Sequence, residues 1–269
     1  MLKITPNISV EYGVRCANMG VLNTSDGIVM IESPLFPQNA IRIREEIASL
    51  GELKYLINTE PHPDHVGGNY YFDTTVVGQE GTRLQALETG VEPIKNMLQN
   101  SSPGVAVDPN YFLRVPTLTF SERMTLILGK HTIKLFHWPG HTPSETAVFI
   151  PEERVVFTGD NVVRGPMPFL HQAMPYQWLE SLDNMNKLDV DFVVPGHGEV
   201  CDKSGIKKMR ADISVWIDSV KDALTRGWTL EETQARINLL DRYQIEPARL
   251  VFSQNIQKNN LANLYTQLK

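Results

Sequence analysis

Apolar and polar positions alternate along the first third of the chain in short runs that predict strands and one helix. Two apolar runs flank Ser25-Asp26-Gly27, a turn sequence that predicts a β-hairpin. Apolar side chains then recur at helical spacing over residues 36–51 and stop at a glycine. These apolar residues are Ile41, Ile43, Ile47 and Leu50. The next run, residues 53–60 ("LKYLINTE"), predicts a buried strand.

The middle of the chain repeats this alternation, with one interruption. The pattern predicts a short strand over residues 74–79 and a helix over 80–90. Residues 91–117 are rich in Pro, Asn and Ser and fit neither period, so we interpret them as an insertion or a flap. Apolar runs separated by turn residues resume over residues 120–160 and predict further strands.

The last part of the chain, residues 202–269, has helical periodicity in three pieces. The second piece follows Thr229, a predicted N-cap, with Glu232 three residues later. The pieces cover residues 207–227, 229–240 and 257–269. We therefore predict an α/β domain over residues 1–201 and a helical extension that packs on it.

Composition limits the classes of partner. The chain has 269 residues, 42% of them hydrophobic, and a formal net charge of -6 without a cluster of basic residues. This charge gives no reason to expect a nucleic acid or a membrane as partner, so a small-molecule substrate is predicted. Two cysteines far apart predict no disulfide framework. No signal peptide or membrane span is readable, so the default prediction is a cytoplasmic protein.

One short segment concentrates polar chemistry. Residues 58–68 read "NTEPHPDHVGG" and place Glu60, His62, Asp64 and His65 within six positions. The two prolines keep this loop extended, so alternate side chains can point to one side. Carboxylate oxygens and imidazole nitrogens are the usual ligands of zinc, manganese and iron, so the segment predicts a metal site.

Three further loops supply donors of the same kind. They contain His141 in "WPGHT", Asp160 in "TGD" and His197 in "VPGHG", each after an apolar run and each near a glycine. A lone histidine is more often a hydrogen-bonded residue than a ligand, and we interpret His131 and His137 in that way. Four donor-bearing loops in one chain favour a shared metal centre.

The motifs "TEPHPDHVGGN", "PGHT", "TGDN" and "VVPGHG", in this order, resemble those of metallo-β-lactamase-fold hydrolases over roughly residues 8–200. The resemblance implies a four-layer αββα sandwich, of class α/β or α+β, with a binuclear metal site along one edge. It implies two divalent ions, zinc first, with manganese or iron as alternatives. One ion would bind His62, His141 and residue 60; the other would bind Asp64, His65 and His197, with Asp160 as the bridge.

Position 60 departs from the family pattern, because the family usually has His where this chain has Glu60. An anionic ligand makes the metal core less positive, so it should raise the pKa of the bridging water and favour harder ions such as manganese or iron. If Glu60 instead turns away, one metal site remains.

The resemblance implies a hydrolase in which a metal-bound hydroxide attacks an ester, lactone, thioester or amide, with Asp64 and Asp160 in catalytic roles. Asp160 stands where β-lactam-cleaving members often have Cys or Ser, so a weak β-lactamase is only an alternative. A second alternative is an iron-dependent oxidoreductase of the same fold, such as a sulfur dioxygenase. A silent binding protein is disfavoured because every other ligand position is filled.

A mostly apolar loop after Asp160 predicts the substrate-facing wall, together with the segment around Tyr111 and Phe112. The predicted substrate-binding residues are Arg164, Met167, Phe169, His171 and Tyr176. The C-terminal helices, with Trp216, Ile217 and Trp228, either cap the sandwich or form the interface of a homodimer.

Overall fold

The structure is a computed structural model that describes residues 1–13, 16–101 and 107–269. The described residues form two β-sheets flanked by helices. In spatial order the first sheet contains β1 (Leu2–Lys3), β2 (Ile8–Glu11), β3 (Met19–Thr24), β4 (Gly27–Ile31), β5 (Leu53–Ile57), β6 (Thr75–Gln79) and β7 (Leu118–Phe120). The second sheet has the order β12 (Phe192–Val194), β11 (Val155–Phe157), β10 (Thr146–Ile150), β9 (His131–His137) and β8 (Arg123–Leu128).

The helices lie between and after these strands. They are α1 (Pro37–Leu50), α2 (Pro63–Val66), α3 (Glu80–Thr89), α4 (Glu92–Ser101), α5 (Pro175–Lys187), α6 (Lys203–Thr225), α7 (Leu230–Arg236) and α8 (Leu250–Leu268). Both sheets are mixed: β4 to β7 run parallel, β11 and β12 run parallel, and the remaining pairs are antiparallel.

Three apolar layers separate four layers of secondary structure. Adjacent residues of one strand face opposite layers, so Ala147 packs toward the helices and Val148 packs between the sheets. The layer between the sheets includes Ile8, Leu22, Ile57, Ile133, Val148 and Phe157. Helix α1 covers the outer face of the first sheet, and α5, α6 and α8 cover the second. This arrangement confirms the predicted αββα sandwich.

Short-range predictions in the first third hold, with one refinement. The hairpin is confirmed, since Thr24 of β3 pairs with Gly27 of β4. Helix α1 forms as expected but buries Ala40, Ile43 and Ile47. Ile41 and Leu50, which we had assigned to the same face, are 39% and 50% exposed.

Residues 91–117 contain more regular structure than predicted. Helix α4 occupies the start of this segment and buries Ile94 and Leu98 in a small cluster with Leu35 and Tyr111. Val91, Ile94, Met97 and Leu98 are spaced as on one face of a helix, so the pattern was present but was overlooked among the surrounding Pro, Asn and Ser residues. The rest of the prediction falls partly on residues 102–106, which lie outside the described residues.

The C-terminal helices pack onto the second sheet. Trp216 and Ile217 of α6 are buried in the same apolar layer as strand residues, so they cap the sandwich. Helix α8 begins at Leu250, seven residues before the predicted start at 257. The domain boundary after residue 201 and the homodimer stay predictions. Among the described residues, no helix combines the length and apolar character needed to cross a membrane.

The predicted N-cap of α7 is confirmed and generates a stability test. Thr229 and Glu232 form a capping box, in which each side chain accepts from the other residue's backbone N–H. We expect Thr229→Ala to lower the free energy of unfolding by about 1 kcal/mol, measured by urea denaturation. Thr229→Ser keeps the acceptor oxygen and is the control. An equal loss in both variants would show that the cap is not the cause.

Candidate metal centre

The four donor-bearing loops meet at one edge of the sandwich. They follow the carboxyl ends of β5 in the first sheet and of β9, β11 and β12 in the second. Two backbone hydrogen bonds join the sheets here. Thr146 N donates to Thr59 O at 2.8 Å, and Asn18 N donates to Gly196 O at 2.7 Å. The strands therefore bring loops that are distant in sequence to a common point.

The loop after β5 is extended only as far as His62, so the prediction of an extended loop through Asp64 is wrong. His62 is extended, and Pro63 then starts the single helical turn α2, which carries Asp64 and His65. The side chain of Asn58 stabilises this turn, because its amide donates a hydrogen bond to His65 O at 3.1 Å. His65 therefore reaches the cluster from a helical turn rather than from the extended loop.

All seven predicted ligands lie in three compact groups, within each of which the donor atoms are within 4.8 Å of one another. The groups are Glu60, His62 and His141; Asp64, His65 and His197; and Glu60, His65 and Asp160. The first two groups correspond to the two sets that the family resemblance implied. Their roles as ligands remain predictions.

Glu60 points into the cluster and is fully buried. Its Oε2 lies 2.5 Å from His62 Nδ1 and 3.6 Å from His141 Nε2. Its Oε1 lies 3.2 Å from His65 Nε2. The carboxylate therefore stands where the family has a histidine, in contact with both halves of the site.

Asp160 lies between the two halves. Its carboxylate oxygens are 3.6 Å from His65 Nε2, 3.8 Å from His141 Nε2 and 3.4 Å from His197 Nε2. Asp64 contacts the outer half, with Oδ2 3.3 Å from His197 Nε2. Asp160, which lies near histidines of both halves, therefore has the position that a bridging carboxylate would need.

The donor atoms fit a divalent metal because several of them are buried without a hydrogen-bond partner among the described residues. These atoms are both carboxylate oxygens of Glu60, Nε2 of His65 and Oδ1 of Asp160. A buried polar atom without a partner costs about 1–3 kcal/mol, and more when it is charged. Coordination to a cation would satisfy all of them, and the mixture of imidazole and carboxylate suits zinc, manganese or iron.

The carboxylates of the cluster are held in the ionised form that metal binding needs. Burial disfavours the charge on Asp160, but His197 and His65 outweigh burial and hold its pKa well below the ordinary value. Asp64 behaves alike, since the hydrogen bond from His197 overcomes burial and lowers its pKa. Burial also opposes ionisation of Glu60, yet His65 and the other imidazoles lower its pKa.

The cluster has a closed floor and an open side. Glu60, His65 and His141 have side chains at most 2% exposed, whereas those of His62 and His197 are 19% and 25% exposed. A substrate can therefore approach from the side of His62 and His197.

Glu32 is a buried residue of this edge that sequence reasoning missed. Its carboxylate accepts from the backbone N–H of Thr59 at 2.9 Å and from the Thr59 hydroxyl, and Oε1 lies 3.3 Å from His65 Nδ1. It has a left-handed φ of 62°, uncommon for a residue with a side chain. Glu32 directly follows β4, so the rule that donors follow strand ends could have identified it.

Two hydrogen bonds orient His141, one made by its ring and one by its backbone. Its Nδ1 donates to Phe169 O at 2.8 Å, and its backbone N–H donates to Asn161 Oδ1 at 2.9 Å. With Nδ1 engaged, Nε2 is left to face the cluster.

Helix α8 holds the loop that carries Phe169. Asn260 donates to Pro168 O at 2.8 Å and accepts from Leu170 N at 2.7 Å. Asn263 donates to Leu170 O at 2.6 Å and to Ala173 O at 3.1 Å. No pattern in the sequence indicates this role, because asparagines in a helix usually belong to its solvated face. The structure makes the C-terminal helix a support of the metal centre.

The predicted substrate wall is divided by the structure. The ring of His171 lies 5.8 Å from that of His62 and 6.2 Å from that of Phe169, so these two predicted residues adjoin the cluster. Met167 is buried in the apolar layer under the helices, at 6% exposure. Its packing position leaves it little surface to offer a substrate.

The other predicted wall residues make contacts elsewhere. Arg164 points toward the carbonyl oxygens of Glu199 and Val200, each 3.5 Å away. The ring of Tyr176 lies under Lys221, whose Nζ is 5.1 Å from its centroid. Nothing in these contacts assigns Arg164 or Tyr176 to a substrate, and their role stays a prediction.

The remaining residues considered from sequence lie outside the cluster. His131 pairs with Glu153 at 2.8 Å, and His137 Nε2 lies 2.8 Å from Pro143 O. Tyr111 is buried and donates to Gly67 O at 2.8 Å, which anchors the irregular segment against the loop after α2.

The chain is similar in sequence to several known hydrolases. A linear primary-alkylsulfatase from Pseudomonas sp. is 23% identical over 81% of this chain, and the match covers 49% of that protein. A metallo-beta-lactamase type 2 from Elizabethkingia meningoseptica is 25% identical over 71% of this chain and 72% of that protein. A hydroxyacylglutathione hydrolase from Synechococcus sp. is 29% identical over 56% of this chain and 52% of that protein. These relatives support a metal-dependent hydrolase in general and do not choose the bond that is cleaved.

Solved structures show the same fold. The sec-alkylsulfatase Pisa1 from Pseudomonas sp. superposes with a TM-score of 0.74 at 15% identity, covering 98% of this chain and 49% of that one. A metallo-beta-lactamase from Pontibacter korlensis gives 0.63 at 19% identity, covering 79% and 97%. The chain thus spans about half the length of the alkylsulfatases it matches. The sequence model of the Metallo-beta-lactamase superfamily matches residues 13–197, and the chain belongs to this superfamily.

Proposed function

We propose that the protein is a binuclear metal-dependent hydrolase that cleaves an ester, lactone, thioester or amide bond of a small molecule. The observation that carries this proposal is the convergence of seven donor side chains, several with buried atoms that lack a partner among the described residues. The sulfatase, lactamase and thioester-hydrolase names of its relatives fit a site whose chemistry is shared and whose substrates differ.

Each half of the cluster would hold one ion. Glu60, His62 and His141 would bind the first, Asp64, His65 and His197 the second, and Asp160 would bridge them. When bound, the ions would act as Lewis acids on the substrate and would lower the pKa of water.

Asp64 and His171 are the side chains of this site that would contact water and substrate. Asp64 lies on the open half of the site against His197, where its ionised carboxylate can accept a hydrogen bond from the attacking water and orient it. Burial, together with His141 and His62, lowers the pKa of His171 to about 4, so its ring is neutral at neutral pH. A neutral His171 can donate a hydrogen bond to the substrate without adding charge.

Glu60 supports an alternative within the same fold, an iron-dependent oxidoreductase. A carboxylate in the first half of the site is a harder donor than imidazole and favours iron or manganese more than the usual ligand set does. Metal analysis of protein purified anaerobically, with its absorption spectrum, distinguishes the two. Zinc with a colourless protein supports the hydrolase, whereas one iron per chain with a coloured protein supports the oxidoreductase.

Cytoplasmic location and dimerisation remain predictions.

A substrate panel tests the hydrolase directly. We expect turnover of at least one class among lactones, thioesters, carboxylic esters, sulfate esters and β-lactams. The activity should disappear on dialysis against a chelator and return when zinc, manganese or iron is added back. Activity that survives complete removal of metal would contradict the proposal.

Substitutions at position 60 test the role of the carboxylate. We expect Glu60→His to shift metal preference toward zinc and to lower the kinetic pKa of turnover, because the site becomes more positive. Glu60→Gln should shift the pH profile in the same direction and weaken the first metal, since it keeps the shape but loses the charge. Metal stoichiometry and pH profiles are measured for all three proteins. Superimposable profiles with unchanged stoichiometry would place Glu60 outside the metal ligands.

Asp160→Asn tests the bridge. We expect turnover to fall by at least about 100-fold, because the amide cannot supply two anionic oxygens to the ions. The metal-free variant should stay folded but unfold at a lower urea concentration than the parent, since it loses the favourable contacts with His197 and His65 that hold the carboxylate ionised. Asp189→Asn, at an exposed ion pair with Arg154, is the matched control and should leave both properties unchanged. A variant that unfolds while the control does not would make Asp160 a structural residue.

Asn260→Ala tests the support that α8 gives to His141. We expect metal affinity to fall about 10–100-fold, the range found when groups that orient metal ligands are removed. Affinity is measured by competition with a chelator, on protein shown to be folded by circular dichroism. Asn259→Ala is the control, because this neighbouring asparagine is exposed. Equal metal affinity in Asn260→Ala and Asn259→Ala would show that the loop holds His141 without α8.

A further inference from the structure

The geometry points to a hydrocarbon chain on the substrate, bound along an aromatic wall formed by His171, Phe169 and Phe252. This inference rests on the proposed function, which it deepens by naming the chemical class of the substrate: an alkyl or acyl compound whose hydrolysable group lies at the metal centre. The wall joins the loop after Asp160 to the start of α8.

The wall is a continuous row of rings that begins at a donor of the cluster. The His171 ring stacks on His62 with centroids 5.8 Å apart and an interplanar angle of 26°. The Phe169 ring follows at 6.2 Å from His171, and the Phe252 ring at 6.1 Å from Phe169. The row begins at His62, whose side chain is 19% exposed, and ends at Phe252, which is 48% exposed, so a substrate that reaches His62 has an aromatic surface beside it.

The outer end of the wall exposes more apolar surface than the fold requires. Phe252 is 48% exposed, and its neighbours Leu250 and Val251 are 44% and 69% exposed. Contiguous exposed apolar surface of this kind is typical of a contact surface. Arg249 lies over the Phe252 ring at 5.6 Å and adds a contact to the ring.

The wall is fixed relative to the metal centre before any substrate binds. Asn260 and Asn263 tie the Phe169 loop to α8, the helix that also carries Phe252. Phe169 O accepts from His141, a donor of the cluster. These hydrogen bonds connect the segments that carry the rings to the histidine, and a connected wall needs less ordering when a substrate binds, which favours affinity.

A second copy of the chain is an alternative occupant of this surface. We favour a substrate because the row of rings begins at His62, a predicted metal ligand. His62 is partly exposed and must remain accessible for the site to work. A protein surface laid along the row would cover that side of the centre. A hydrocarbon chain that carries a hydrolysable group at one end can cover the same surface and place that group at the metal centre.

The first test is a series of carboxylic or thioesters, from acetyl to dodecanoyl, assayed for kcat/KM. We expect kcat/KM to rise by up to about fourfold per added methylene until the wall is filled, as transfer of each methylene from water predicts. In Phe252→Ala the rise should stop at a shorter chain, whereas Phe252→Leu should retain part of it. Ile127→Ala, an apolar residue 76% exposed on β8, is the control and should keep the full slope.

The second test does not depend on hydrolysis. Binding of dansylaminoundecanoate to the holoprotein and to Phe252→Ala is followed by fluorescence, with sedimentation to record the oligomeric state. We expect at least about tenfold weaker binding to the variant, the loss of roughly two buried methylenes. Ile127→Ala should bind as the parent does.

The outcomes separate the two levels of the proposal. Probe binding that depends on Phe252, without turnover of any substrate class in the panel, would leave the wall in place and overturn the hydrolase. Turnover that ignores chain length in the parent and in Phe252→Ala would overturn the wall and leave the hydrolase. A dimer that dissociates in Phe252→Ala, with no probe binding to the parent, would assign the surface to a second copy and also overturn the wall.

Discussion

The rest of the structure depends on one constraint: a fully buried carboxylate, that of Glu60, has no hydrogen-bond partner among the described residues. Its charge can be balanced only by groups brought to it from elsewhere, and His62, His65 and His141 provide the nearest ones. Imidazoles balance it when protonated, and a metal ion balances it when they are neutral. The closed floor of the site is therefore stable only when positive charge is present there.

The αββα architecture is what makes that concentration of charge tolerable. Three apolar layers stabilise the sandwich away from this edge, so the polar loops need not contribute to the core. Backbone hydrogen bonds between the sheets, such as Thr146 N to Thr59 O, hold the loop ends in register. At Gly196, a β-carbon would collide with the Asp160 carboxylate, so the approach of the loops is as close as the backbone allows.

What could be predicted from sequence was what depends on local pattern. The density of donors in residues 58–68 and the strand-end position of the other donors located all seven cluster residues, because strand ends meet at one edge of a sheet. Glu32 and Asn260 were missed because their roles depend on packing between segments distant in sequence. Helix α4 was missed although Val91, Ile94 and Leu98 have helical spacing, because the Pro, Asn and Ser residues of the whole segment 91–117 are typical of an irregular loop.

The position of α8 has a consequence for how such a protein can diverge. The superfamily match covers residues 13–197, whereas Phe252 and Asn260 lie beyond it in the last helix. The donor loops and the outer end of the aromatic wall are thus encoded in separate stretches of the gene. Mutation at Phe252, unlike mutation at Asn260, can alter which compounds bind beside the centre while the donor set stays intact, so specificity and reactivity can evolve at different rates.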